Sequence, residues 1–563
     1  MKIGLTLGGL TLGGVALFLG QLNATTAIPG TEGDGGLAAG PDVIVGAIPD
    51  VASYAPATVS GVEYASYAIG TTSCNIGTTQ LQWQPMPSAL HPTIPQNFYR
   101  YKNGRFEQIG MSWIKHGFCA LQQTLCGTCT PVPGGCPTVL GIGCSDPYTA
   151  SLNGAQGDLK SRRGVNAATG VFGIGVRLLS SIDSASNTIV CEAHGFPNNL
   201  AVRFSSSGTL PAPLVRDTTY YVRNTTPNTF QVSATSTGSV IDLTTSGSGT
   251  IVAANGEYQD PSSTEPITIR ERLRVARNDL NPTLNAGAQY FVEGQYIHPD
   301  DAASGNDNNN CSYRKVTIGA TWSTTQGYPL TLSGATLQQV PAINAWKTIQ
   351  PDVEQRDYQV AGDGLFVVAY RASDNGNGTW HYEYAIFNMN SDRSGGSFSV
   401  PVPAGVTVTN IGFSAPAYHS GDQAAGAAGY NQNTPWTGTR TADAVTWATT
   451  PFAQDSTANA LRWSTMYNFR FDANQPPQTV AATLGLFKPV TASSTATSVT
   501  VSGKGPIAPP PPSNPSDLND DGLVDGADLG ILLGAWGSTG GDINGDGTTD
   551  GSDLGLLLAA WGS

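Results

Sequence analysis

Two stretches close to the C-terminus carry the residue types and spacing of a metal-binding loop. DLNDDGLVDGAD runs from Asp517 to Asp528 and DINGDGTTDGSD from Asp542 to Asp553; together they hold nine carboxylates with no Lys, Arg or His in or between them. A calcium ion takes six to eight oxygen ligands, and a twelve-residue EF-hand loop supplies them from positions 1, 3, 5, 7, 9 and 12, with Gly at 6 for the sharp turn. The first copy offers Asp517, Asn519, Asp521, the Leu523 carbonyl, Asp525 and Asp528, with Gly522 at the turn. The second offers Asp542, Asn544, Asp546, the Thr548 carbonyl, Asp550 and Asp553, with Gly547 at the turn. Position 12 is Asp where the usual loop has Glu, so the shorter arm requires a tighter closure. A merely solvated acidic tail would carry its carboxylates in blocks, without the placed Asn and Gly. The expectation is two calcium ions.

Each loop needs an element to hold it. LGILLGAWG from Leu529 and LGLLLAAWG from Leu554 predict a helix after each loop, with Trp536 and Trp561 twenty-five residues apart, whereas no helix pattern precedes either loop. A duplicated loop followed by one helix resembles the type I dockerin, over residues 516–563. The resemblance implies two antiparallel helices about a pseudo-two-fold, folding coupled to calcium, and docking onto a cohesin-like or cell-surface protein. Loop positions 10 and 11, which contribute to partner choice in dockerins and often carry hydroxyls, are here Gly526 and Ala527, then Gly551 and Ser552; only Ser552 keeps one. In this the tail departs from cellulosomal dockerins, and it is more similar to the dockerin-like tails of secreted proteins from planctomycete-type bacteria.

The rest of the chain is nearly neutral. Net charge is −14, and removing the nine tail carboxylates leaves −5. Without a Lys/Arg cluster there is no electrostatic footprint for nucleic acid or an anionic membrane surface. The N-terminus has one Lys, an apolar Gly/Leu-rich run from Ile3 to about Gly20, and small residues up to Ala27. This pattern predicts a secretory signal over residues 1–27, a secreted or cell-surface product, and no membrane segment once the signal is removed. Eight cysteines in an exported chain predict disulfides, five of them gathered between Cys119 and Cys144. Cys126, Cys129, Cys136 and Cys144 also present the spacing of a four-thiolate zinc knot, the alternative to that framework.

With 68 Gly and 37 Pro, short strands and many turns are expected, so the fold class is mainly all-β: sandwich-like domains, an inserted small β module and a small α-helical C-terminal domain. After a Gly-rich segment at 28–40, a disulfide-containing β domain is expected over 41–180 and 254–349, with the insert at 181–253. A sandwich-like domain follows at 350–502, then a Pro-rich linker at 503–516. FYRYKNGRFEQIGMSW reads as a hairpin turning at Lys102-Asn103-Gly104, and SDNGNG joins a second hairpin whose later strand starts at Trp380. Within AHGF…VRFSSSGTLP…TTYYVRNTTPNTFQVSAT, residues 181–253 resemble a small all-β module of phage tail and bacterial surface proteins, which implies display and not catalysis.

Chemistry in the body is less legible. No nucleophile elbow, HExxH or phosphate-cradling loop occurs, and SWIK at Ser112–Lys115 lacks the companions of a serine acyltransferase. His298 with Asp300 and Asp301, and His419 with Asp422, are the local His-carboxylate groupings, candidates for a metal or acid-base site if the fold joins them. A polysaccharide hydrolase, the reading favoured by analogy with dockerin-bearing enzymes, needs two carboxylates across a cleft. Glu107, Glu271, Glu293, Glu354 and Glu383 have the chemistry. The leading expectation is a calcium-binding tail that attaches a β-rich binding or structural body, with polysaccharide as its candidate ligand.

Overall fold

The computed structural model describes residues 39–84, 90, 92–116, 119–172, 176–192, 194, 196–206, 208–216, 218–254, 265–419, 433–508 and 514–563. The expected signal, most of the Gly-rich segment, His91 and Asp422 lie outside these residues.

Strands dominate, as the turn-rich composition predicts. One antiparallel sheet has eight strands in the order Val51–Val59, Val62–Ile69, Leu273–Ala276, Arg105–Met111, Gln96–Lys102, Gln289–Gln295, Cys311–Ile318 and Leu330–Leu337. Its third strand comes from beyond residue 254 and pairs Arg274 with both Ser66 and Met111. Residues 176–254 form a separate seven-stranded sheet, and the two ends of this stretch of chain pair, Val176 opposite Ala254. That sheet has its own core of Ile189, Phe204, Val222 and Phe230.

Two five-stranded sheets follow. The first orders Glu354–Gln359, Leu365–Asp374, Trp380–Asn388, Thr465–Ala473 and Val408–Ser414; the second orders Thr437–Arg440, Ala444–Ala448, Gly395–Pro401, Pro477–Leu486 and Ser498–Pro506. The last strand takes in Gly503–Pro506, the opening of the Pro-rich stretch. Face to face they enclose Tyr382, Tyr384, Phe398, Trp447, Phe469 and Phe471, with Tyr382 stacked on Phe471 at 4.7 Å between ring centroids. Each such buried ring contributes roughly 1.5–3 kcal/mol. The alternation from Trp380 onward would leave one face wet in a two-layer sandwich, yet Ala385, Phe387 and Met389 on the opposite side are also buried. They pack on Tyr99, Phe106, Phe291 and Trp346, so the first sheet is the middle of three layers.

The outer face of the eight-stranded sheet covers Val45, Trp83, Ile94, Phe98 and Val292 with the short sheet Val43–Ala47, Thr71–Asn75 and Ser145–Tyr148. Three disulfides tie this side: Cys74–Cys126, Cys119–Cys136 and Cys129–Cys144. The zinc knot is thereby overturned, because each of its four sulfurs is in a disulfide. Cys191 and Cys311 are buried thiols, so six of the eight cysteines follow the disulfide expectation.

In the tail, one helix accompanies each acidic repeat, Gly526–Gly534 and Gly551–Ala559, but each starts three residues before the expected Leu529 and Leu554, because Asp525 and Asp550 inside the loops are the caps. Leu532, Leu557 and Val524 bury between them. Val524, at loop position 8, accepts from Gly562, and its counterpart Thr549 accepts from Gly537, both at 2.9 Å. Each loop is thus bonded to the turn that follows the other copy's helix.

Candidate functional site

The two acidic loops share one hydrogen-bond scheme. Asp517 accepts the amides of Asp521 and Gly522 at 3.2 and 2.8 Å, and Asp542 those of Asp546 and Gly547 at 3.0 and 2.6 Å. Asn519 and Asn544 each donate to the carboxylate two residues on, at 2.8 and 2.9 Å. Position 6 has φ +91° at Gly522 and +95° at Gly547, a conformation costly for any residue with a Cβ.

Asp528 and Asp553, the position-12 carboxylates, are covered by their own loops. Asp528 accepts the amides of Leu518, Asn519 and Asp525, and Asp553 those of Ile543, Asn544 and Asp550. These donors, foremost the position-9 amide, hold both carboxyls below the usual carboxylate range. Asp525 and Asp550 in turn cap the helices and complete a capping box in each copy.

Do these residues fit calcium? The donors are oxygens only, no cationic side chain occurs after Lys504, and Oδ2 of Asp528, Asp542 and Asp553 holds one N–H and keeps a second lone pair, whereas Oδ1 of each already accepts two amides. Among the described residues no three His, Cys, Asp or Glu side chains converge as a ready cage. The donor chemistry therefore fits a hard cation, although the carboxylates here bond their own loop amides.

Beside the loops, the tail exposes a repeated apolar set: Ile531, Leu533 and Trp536, then Leu556, Leu558 and Trp561. Among the described residues Trp536 and Trp561 are the exposed tryptophans: Trp83, Trp113, Trp346, Trp436, Trp447 and Trp463 are buried, and Trp322 and Trp380 are half-buried.

The body's candidates are engaged in holding the layers. His298 caps the helix Pro299–Ser304, its Nδ1 accepting from Asp300 at 3.0 Å, and burial lowers its pKa. Asp300 accepts the Gln82 amide at 3.1 Å. His419 is fully buried with Nδ1 2.7 Å from Glu265 and Nε2 3.0 Å from the Met111 carbonyl; Glu265 also bonds Arg274. Among the described residues no contact joins the two histidine groups, and burial pushes the His419 pKa down.

Glu293 is buried and accepts from Asn97 at 2.9 Å, Tyr99 at 2.8 Å and the Ala342 amide at 2.6 Å. Nearby, Arg162 donates to the Ser112, Gln96 and Ser464 carbonyls and to Asn97 Oδ1, which joins the eight-stranded sheet to the sandwich. Glu271 lies 3.3 Å from Arg270, and Glu354 pairs with Lys504 and Tyr370.

Glu107 and Glu383 are the pair of candidates that come together, but Arg105 lies between them, 3.8 Å from one and 2.9 Å from the other. Glu383 also meets His381 at 3.1 Å, and His381 meets Asp472 at 2.6 Å. Sequence reasoning missed Arg105, His381 and Asp472 as one group. No local signal could have found it, since its members are drawn from strands far apart in the chain.

No family model matches the chain, and no curated protein matches it.

Proposed function

We propose that the protein is an exported, calcium-binding one whose C-terminal module docks a β-rich binding or structural body to a partner protein or cell surface. Asp517, Asn519, Asp521, Leu523, Asp525 and Asp528 would hold one ion, and Asp542, Asn544, Asp546, Thr548, Asp550 and Asp553 the other. Calcium supplies charge neutralisation and a fixed loop shape to carboxylates that otherwise repel. The observation that carries the reading is the bonding the two loops share, each tied to the turn that follows the other copy's helix. The exposed Leu and Trp set beside them supports a docking role, and the three disulfides support an oxidising destination.

The test is proteolysis of the full chain with and without calcium, following cleavage between residues 514 and 563. Protection of the native tail by calcium, abolished in Asp517→Ala/Asp542→Ala, is the expected result. A tail equally resistant in chelator would sink the reading. Incubation with a panel of polysaccharides separates the hydrolase alternative: release of reducing ends would make the body an enzyme. Its five glutamates are already held by partners, which favours the non-catalytic reading.

A further inference from the structure

A second group of oxygens lies in the body, where the chain enters its first sheet. Asp42 is 1% exposed and Asn310 is fully buried. Asn309 Nδ2 donates to Asp42 Oδ2 at 3.2 Å, while Asn310 Nδ2 donates to Asp301 Oδ2 at 2.7 Å. Asp301 Oδ1 accepts the Val43 amide at 2.8 Å. Since Val43 follows Asp42 and Asn310 follows Asn309, these bonds close a ring.

Three oxygens on that ring are buried without any hydrogen-bond partner: Asp42 Oδ1, Asn309 Oδ1 and Asn310 Oδ1. All three are acceptors. Unpartnered buried acceptors cost about 1–3 kcal/mol each, and a buried carboxylate costs more unless a positive charge is near. Among the described residues no Lys, Arg or His pairs with Asp42, Asp301 or Asp307.

We propose that Asp42, Asn309, Asn310 and Asp301 hold a calcium ion that staples the entering chain to the loop at residues 305–310. The donor set is oxygen only, mixing carboxylate with amide carbonyl, as calcium accepts and softer metals do not prefer. Two carboxylates and several neutral oxygens suit the weak affinity of extracellular modules, about 0.1–1 mM. Asn306 strengthens the same join by donating to the Ala39 and Pro41 carbonyls at 3.0 and 2.8 Å. This site is independent of the tail loops.

Segment-resolved hydrogen exchange on the full native chain, with calcium chloride against chelator, separates the two. Calcium at about ten times its Kd is expected to slow exchange about tenfold in peptides spanning 39–45 and 304–312, and Asp42→Asn is expected to cancel that effect while the tail's response stays. No calcium effect on those peptides in the native chain overturns the site, whatever the tail does and whether or not the variant folds. Protection that survives in Asp42→Asn overturns it as well.

Discussion

His381 is held between two carboxylates, and the hydrogen bond it donates to Glu383, followed by that to Asp472, raises its pKa above the ordinary histidine value. A histidine raised on folding contributes stability that is fully present below the unfolded value of about 6.5 and is lost as pH rises through the folded value. His381→Gln is therefore expected to lower the urea midpoint most near about pH 6 and by a shrinking margin toward about pH 9. A margin that is flat over that span would show that the imidazolium is not what the carboxylates recognise. Arg162 makes a larger contribution. It is fully buried, and Arg162→Met removes a donor from Asn97 Oδ1 and from the Ser112, Gln96 and Ser464 carbonyls, of which Asn97 Oδ1, Gln96 and Ser464 keep another from Gln108, Ser112 and Asn97. The expected loss is about 1–3 kcal/mol in denaturant unfolding; a loss under about 0.5 kcal/mol would mean that water replaces the guanidinium.

Among the elements, the disulfide-bearing loop is held by covalent links more than by regular structure. Cys74–Cys126 spans a sequence separation of 52 and ties the strand Thr71–Asn75 to a loop of turns and isolated bridges. Closing a loop of that length removes enough chain entropy to be worth about 4 kcal/mol. Cys74→Ala/Cys126→Ala should lower stability by about that amount in thermal unfolding, with Cys119–Cys136 and Cys129–Cys144 intact by mass mapping. An unchanged midpoint would place the stabilisation in packing alone. The tail helices show the opposite economy. Short and Leu-rich, they begin at capping boxes made from carboxylates of the acidic loops, so each helix start shares its hydrogen bonds with its loop.

At the scale of the molecule, three sheets share two cores, so the regions that composition divides near residue 350 are expected to unfold as one unit. Residues 176–254 stand apart, with a core of their own and ends paired at Val176 and Ala254. Replacing that stretch by a short Gly/Ser linker is expected to shift the body's thermal midpoint by only a few degrees, about 1 kcal/mol or less. A collapse of the body's unfolding transition on that deletion would show that the module supports the eight-stranded sheet.

The sequence by itself determined what depends on near neighbours. The mainly β class follows from turn residues at short spacing; the hairpin at Lys102-Asn103-Gly104 and the one around SDNGNG follow from the alternation beside them, and both are present. A helix with each acidic repeat was legible because caps and turns act over a few residues, although it starts three residues before the expected position. Tertiary structure decided what depends on partners far away. It placed Glu293 beside Asn97 and Tyr99, put Arg105 between Glu107 and Glu383, paired Cys74 with Cys126, and set Asp42 against Asn309. It also buried both faces of the strand Trp380–Asn388, since alternation separates two faces but only the third layer decides whether the second meets water. The division is physical: turn and cap energies are local, whereas the environment of a buried charge is set by whichever strands the fold brings alongside it.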